Sequence, residues 1–89
     1  MEIEWTDPAL ADLVHIRSFV ARDDPDAASR LAVRLIAAAD SLEHFAARGR
    51  TGSVAGTREL VVRPYVIVYR IKGKVVQIVR VWHGAQDRS

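Results

Sequence analysis

The sequence predicts an α+β domain in which a helical hairpin covers one face of a mainly antiparallel four-stranded sheet. Three observations carry this. Two Asp-Pro steps, Asp7-Pro8 and Asp24-Pro25, each open a stretch of apolar residues at helical spacing. Beyond residue 58 the chain turns to short runs of Val, Ile and Tyr, residues suited to strands. Between these regimes, Arg48 to Thr57 holds Gly49, Gly52 and Gly56 among small polar residues and reads as a loop. The expected order is strand, helix, helix, strand, strand, strand, with residues 1–89 forming a single domain.

Each element has its own warrant. Glu2-Ile3-Glu4-Trp5 alternates polar and apolar, as a short half-buried strand does. Asp7 is the expected cap of the first helix, and Pro8 fits the first helical position, where its missing N–H costs nothing. Leu10, Leu13, Val14, Arg17 and Val20, broadened by Ile16, form its expected apolar side, and the helix is expected to end near Ala21–Arg22. Asp24 and Pro25 repeat the start chemistry. Ala28, Leu31, Ala32, Leu35, Ala38, Ala39, Leu42 and Phe45 then make a long stripe in which propensity and period agree. So short a link folds the two helices back as a hairpin.

Arg58–Arg63 reads as a strand broken by Pro64, and Tyr65 to Ile71 as a second. Lys72-Gly73 is the expected tight turn, with glycine supplying positive φ. The third, Lys74 to Trp82, is apolar on both faces and is therefore expected at the centre of the sheet. His83 to Ser89 reads as a polar tail.

Composition removes several classes. With 89 residues, the chain buries roughly 60–65% of its unfolded surface, a modest core. It has no cysteine, hence no disulfide and no thiolate zinc site; with three scattered histidines, no metal site or cofactor is expected. No apolar run approaches the roughly 18 residues that span a bilayer, and Glu2 and Glu4 stand where a signal peptide would be basic. The expectation is a cytoplasmic protein without membrane association.

The net charge of +2 conceals an asymmetry. Residues 1–45 carry four arginines against nine acids, giving −5, and residues 46–89 carry nine Arg and Lys against Glu59 and Asp87, giving +7. Such a split marks either a surface for an acidic partner or two faces that attract each other within the fold.

The sequence lacks a Walker loop, a nucleophile elbow, a metalloprotease helix and an EF-hand. Candidate site residues come from the strands instead. Arg58, Arg63, Arg70 and Arg80 can supply planar phosphate contacts, with Arg48, Arg50 and Lys72 nearby in sequence. Tyr65, Tyr69 and Trp82 either stack on bases or belong to the core. His83, close in sequence to Arg80 and Arg88, is a candidate proton donor or acceptor, or simply a histidine ending a strand.

Two stretches, Arg63-Pro64-Tyr65-Val66-Ile67-Val68-Tyr69-Arg70 and Val79-Arg80-Val81-Trp82-His83-Gly84-Ala85-Gln86-Asp87, resemble the signature end of RelE/ParE superfamily toxins. Trp5-Thr6-Asp7-Pro8-Ala9-Leu10-Ala11-Asp12-Leu13 resembles that family's strand-to-helix entry, so the resemblance covers nearly the whole chain. It implies a RelE/ParE-like fold and the toxin of a type II toxin–antitoxin pair, neutralised by an acidic, partly disordered antitoxin. RelE-like members cleave messenger RNA, commonly on the ribosome; ParE-like members inhibit DNA gyrase.

RelE-like nucleases carry cations at positions that fall here on Val66 and Leu60, although Arg58 matches another of their basic positions. His83, after an aromatic residue, matches a general-acid histidine of some nuclease members. The Tyr-Val-Ile-Val-Tyr-Arg strand and the His-Gly-Ala-x-Asp ending are closer to ParE-like and plasmid-stabilisation sequences. The resemblance therefore favours a gyrase inhibitor, with Arg63, Arg70, Arg80, Trp82 and the exposed tail as contacts. A ribonuclease using His83, Arg58, Arg63 and Arg80, or a non-toxic antitoxin-binding module, are the alternatives.

Overall fold

In the computed structural model, residues 1–84 are described; of the tail expected at residues 83–89, His83 instead ends the last strand, and residues 85–89, including Arg88, lie outside the described residues. The chain runs β1 (Glu2–Trp5), α1 (Asp7–Ala21), α2 (Pro25–Asp40), two short 3-10 turns (Ser41–Glu43 and Ala46–Arg48), β2 (Arg50–Thr51), β3 (Arg58–Val62), β4 (Tyr65–Lys72) and β5 (Val75–His83). The strand order is β1-β5-β4-β3-β2, with β1 parallel to β5 and every other pair antiparallel. The expected α+β architecture is present, with β2 as a short addition at the edge of a mixed five-stranded sheet.

The two-residue β2 comes from the stretch expected to be only loop. Arg50 pairs with Glu59 and Thr51 with Arg58, so the glycine-rich segment folds back onto β3 as a hairpin. It is closed by the Gly52 amide on the Thr57 carbonyl at 2.8 Å and the Thr57 hydroxyl on the Val54 carbonyl at 2.6 Å.

Both helix starts follow Asp-Pro chemistry, with one correction. Asp24 caps α2 by accepting the Ala27 amide at 3.0 Å, as expected. Thr6, and not Asp7, caps α1: its hydroxyl accepts the Ala9 amide at 3.4 Å and donates to the Ile78 carbonyl at 2.9 Å. Thr6 is one residue past the end of β1, where its own amide still reaches the Ile78 carbonyl at 3.1 Å. One side chain thus closes the strand ladder and opens the helix, leaving Asp7 as the first helical residue.

The core joins Ala9, Leu31, Leu35, Ala39 and Leu42 of the helical layer to Leu60, Tyr65, Ile67, Tyr69, Val76, Ile78 and Val81 of the sheet. The stripe of α1 runs Ala9, Leu13, Ile16, Val20, so Leu10 and Val14, expected inward, are exposed. Phe45, expected to end the α2 stripe, lies past the helix between the two 3-10 turns and is also exposed. Tyr65 and Tyr69 belong to the core, which decides against a stacking role for them. The β4–β5 turn is Gly73-Lys74, one residue beyond the expected pair, with Gly73 at φ 61°.

An irregularity in β5 decides where its functional residues point. Val68 lies opposite Arg80, but Tyr69 lies opposite Ile78, so Val79 is the extra residue of a β-bulge. Strict alternation from Val76 and Ile78 would turn Arg80 into the core. The bulge puts Val81 there instead and sends Arg80 and Trp82 to the helix-free face.

Candidate target-binding surface

Because β1 stops at Trp5, beside Ile78, the last turn-length of β5 has no strand on that side. The first half of α1 lies along it. The Thr6 hydroxyl takes the Ile78 carbonyl, and Asp12 accepts the Val81 amide at 2.9 Å, doing with a side chain what β1 would have done with its backbone. The same carboxylate receives Arg80 in a two-pronged grip, Nε to Oδ2 at 2.7 Å and Nη2 to Oδ1 at 3.0 Å. The Asp12 hydrogen bonds raise the Arg80 pKa, so the guanidinium is charged throughout any working pH.

From this anchor Arg80 lies over the Trp82 ring, 5.5 Å from its centroid. His83, the next residue, sits opposite Tyr65 and meets its ring edge-to-face at 5.5 Å. A cleft of about 520 Å³ opens here, between Asp12, His15, Ile16 and Phe19 of α1 and Tyr65 with Arg80–His83 of the sheet. Its chemistry is mixed: aromatic walls, one fixed cation–carboxylate pair and two imidazoles.

The other candidate residues are distributed. Arg70 is on the same helix-free face, where its Nε donates to Gln77 at 2.7 Å and Gln77 in turn donates to Glu4 at 2.6 Å, a polar chain across three strands. Arg58 stands opposite Tyr69 on the helix side and donates to the carbonyls of Gly49 at 2.9 Å and Ala47 at 3.4 Å. Arg63 is exposed in the β3–β4 turn, where its carbonyl receives Arg34 at 3.1 Å. The fold therefore brings Arg80, Trp82 and His83 together, holds Arg70 further along the same helix-free face on Gln77, leaves Arg63 in the β3–β4 turn and turns Arg58 to the helix side. Among the described residues, no group of three or more His, Asp or Glu side chains is arranged to hold a metal.

Sequence reasoning missed Asp12. The signal was present in β5: an arginine two residues after Ile78, at a position that alternation would bury, calls for either a bulge or a buried carboxylate partner.

The comparisons agree with this architecture. A model of the family described as "ParE toxin of type II toxin-antitoxin system, parDE" matches residues 3–88. The chain belongs to this family of type II toxin–antitoxin toxins, within the RelE/ParE superfamily. It is 44% identical over 85 residues to Toxin RelE2 of Caulobacter vibrioides, covering 96% of this chain and 97% of that one. Among solved structures it resembles a chain of the chromosomal ParDE toxin–antitoxin system from P. aeruginosa, with TM-score 0.84, 31% identity, and coverage of 93% and 95% of the two chains. It also resembles a chain of the RelBE2 toxin–antitoxin complex from Mycobacterium tuberculosis, with TM-score 0.67, 25% identity, and coverage of 92% and 95%.

Proposed function

We propose that this toxin arrests growth by binding DNA gyrase, in the ParE-like manner, and is neutralised by a cognate antitoxin. The observation that carries the choice of target is the burial of Val66 and Leu60. They occupy the positions where RelE-like nucleases carry cations, and here they are 3% and 6% exposed, Leu60 within the core between sheet and helices. Metal-free RNA cleavage needs a base, an acid and cations converging on one phosphate. Of the cations that a nuclease would use, Arg58 is turned to the helix side, Arg63 lies in the β3–β4 turn and Arg80 is gripped by Asp12. Similarity to chains bearing both ParE and RelE names leaves the choice to these residues.

An antitoxin partner is supported by surface chemistry. Leu10 and Val14 of α1 and Val33 and Ile36 of α2 are exposed, apolar residues that a bound partner would cover. The basic half of the chain suits an acidic segment that orders on binding. Among the described residues no helix is long and apolar enough to cross a membrane, and gyrase binding implies a cytoplasmic protein.

The ribonuclease reading has one observation in its favour: His83 is exposed at the rim of the cleft. The two readings part on His83→Ala. The gyrase reading expects this variant to arrest growth like the wild type, and expects neither protein to cut messenger RNA in a translating extract. RNA cleavage by the wild type that His83→Ala abolishes would overturn it.

A further inference from the structure

We infer that Asp12 is a positioning residue for the target-contact surface: its carboxylate clamps the Arg80 guanidinium over Trp82. The inference rests on the reading of Arg80 and Trp82 as contact residues.

Three hydrogen bonds from two consecutive residues converge on this one carboxylate: Arg80 Nε, Arg80 Nη2 and the Val81 amide. The two guanidinium bonds fix the plane of the group as well as its place, because the fork matches both carboxylate oxygens. That plane is what sets Arg80 over the Trp82 ring at 5.5 Å. A free arginine on a strand surface would sample many rotamers, and a partner would have to order it on binding; the clamp orders it beforehand.

A purely stabilising role accounts poorly for the arrangement. The Arg80 side chain is 45% exposed though Asp12 is only 17% exposed, and an ion pair with one end in solvent adds little to stability by itself. The edge amide of Val81 would need only one oxygen of Asp12. The second oxygen, and the bulge at Val79 that turns Arg80 outward, serve the arginine.

The test uses the full chain carrying Trp5→Phe, so that Trp82 is the sole tryptophan, and compares Asp12→Asn, Arg80→Lys, Arg80→Ala and the Asp12→Asn/Arg80→Ala double variant. Asp12→Asn keeps an acceptor for the Val81 amide, and Arg80→Lys leaves Asp12 intact, so folding is preserved by two routes. Trp82 emission and the toxin level needed to halve the growth rate are the readouts. Asp12→Asn and Arg80→Lys are expected to shift Trp82 emission as Arg80→Ala does and to require about tenfold more toxin, the scale of one charge-assisted contact. The double variant is expected to be no weaker than Arg80→Ala. Unchanged emission in Asp12→Asn, or losses that multiply in the double variant, would overturn the inference. Full potency of Arg80→Ala with the Asp12→Asn emission shift intact would overturn the contact reading and leave the clamp standing.

Discussion

The Arg50 guanidinium meets the buried Glu59 carboxylate through two nitrogens on one oxygen, Nη2 at 2.8 Å and Nε at 3.1 Å. The Ser53 amide takes the other oxygen at 3.2 Å. This carboxylate, 5% exposed, pins the glycine-rich hairpin to β3. Burial raises its pKa, but the Ser53 amide and Arg50 outweigh burial and hold it below the ordinary glutamate value of 4.5. A depressed folded-state pKa stabilises the protein above the unfolded value, and that contribution is lost as the pH falls through the folded one.

Glu59→Gln is therefore expected to lower stability near neutral pH by about 1–3 kcal/mol, the cost of a buried charge-assisted network losing its anion. The gap to wild type should narrow as the pH falls below 4.5. Urea midpoints at neutral and acid pH check this; a gap that stays constant would assign the loss to shape and not to charge.

Tyr69 and Gly49 should behave as one unit. The Tyr69 hydroxyl donates to the Ala46 carbonyl at 2.6 Å and accepts the Gly49 amide at 2.8 Å, tying the second 3-10 turn to the centre of the sheet. A Cβ on Gly49 would lie 2.7 Å from that hydroxyl and 2.9 Å from the Glu59 carbonyl. Tyr69→Phe should cost about 1–3 kcal/mol by leaving both backbone groups unpaired, and Gly49→Ala a similar amount through overpacking. In the double variant the losses should fall short of their sum, since both act on one contact. Thermal denaturation of the four proteins reads this directly.

On the hairpin, neighbouring apolar residues should divide by role. Leu35 is fully buried, and Leu35→Ala should cost about 2–5 kcal/mol. Val14 is 64% exposed, and Val14→Arg should change stability by no more than about 0.5 kcal/mol. The same Val14→Arg is expected to weaken the complex with the cognate antitoxin by about tenfold or more. Calorimetric titration checks it; an undiminished affinity would remove this face from the antitoxin interface.

Local chemistry made much of the fold legible. Asp24 capped the helix it was expected to cap, Gly73 took the positive φ of the turn, and a third strand apolar on both faces did lie inside the sheet. What escaped reading depends on tertiary pairing. Thr6 became the cap of α1 because Ile78 stands beside it, and β2 exists because the buried Glu59 draws Arg50 onto its edge. The site was half legible: Arg80, Trp82 and His83 were named, but the partner that orients Arg80 sits 68 residues earlier in the chain. A single bulge reverses the face of every residue after it; an arginine where alternation would bury one is a sign of a bulge, but it does not name Asp12 as the partner.

Whether this toxin acts by binding gyrase and not by cutting RNA is read from a supercoiling assay with purified toxin and DNA gyrase. Supercoiling is expected to be inhibited, or cleavage complexes trapped, at micromolar toxin, with relief by the cognate antitoxin and a reduced effect in Arg80→Ala. Uninhibited supercoiling by a toxin that still arrests growth would contradict the gyrase reading.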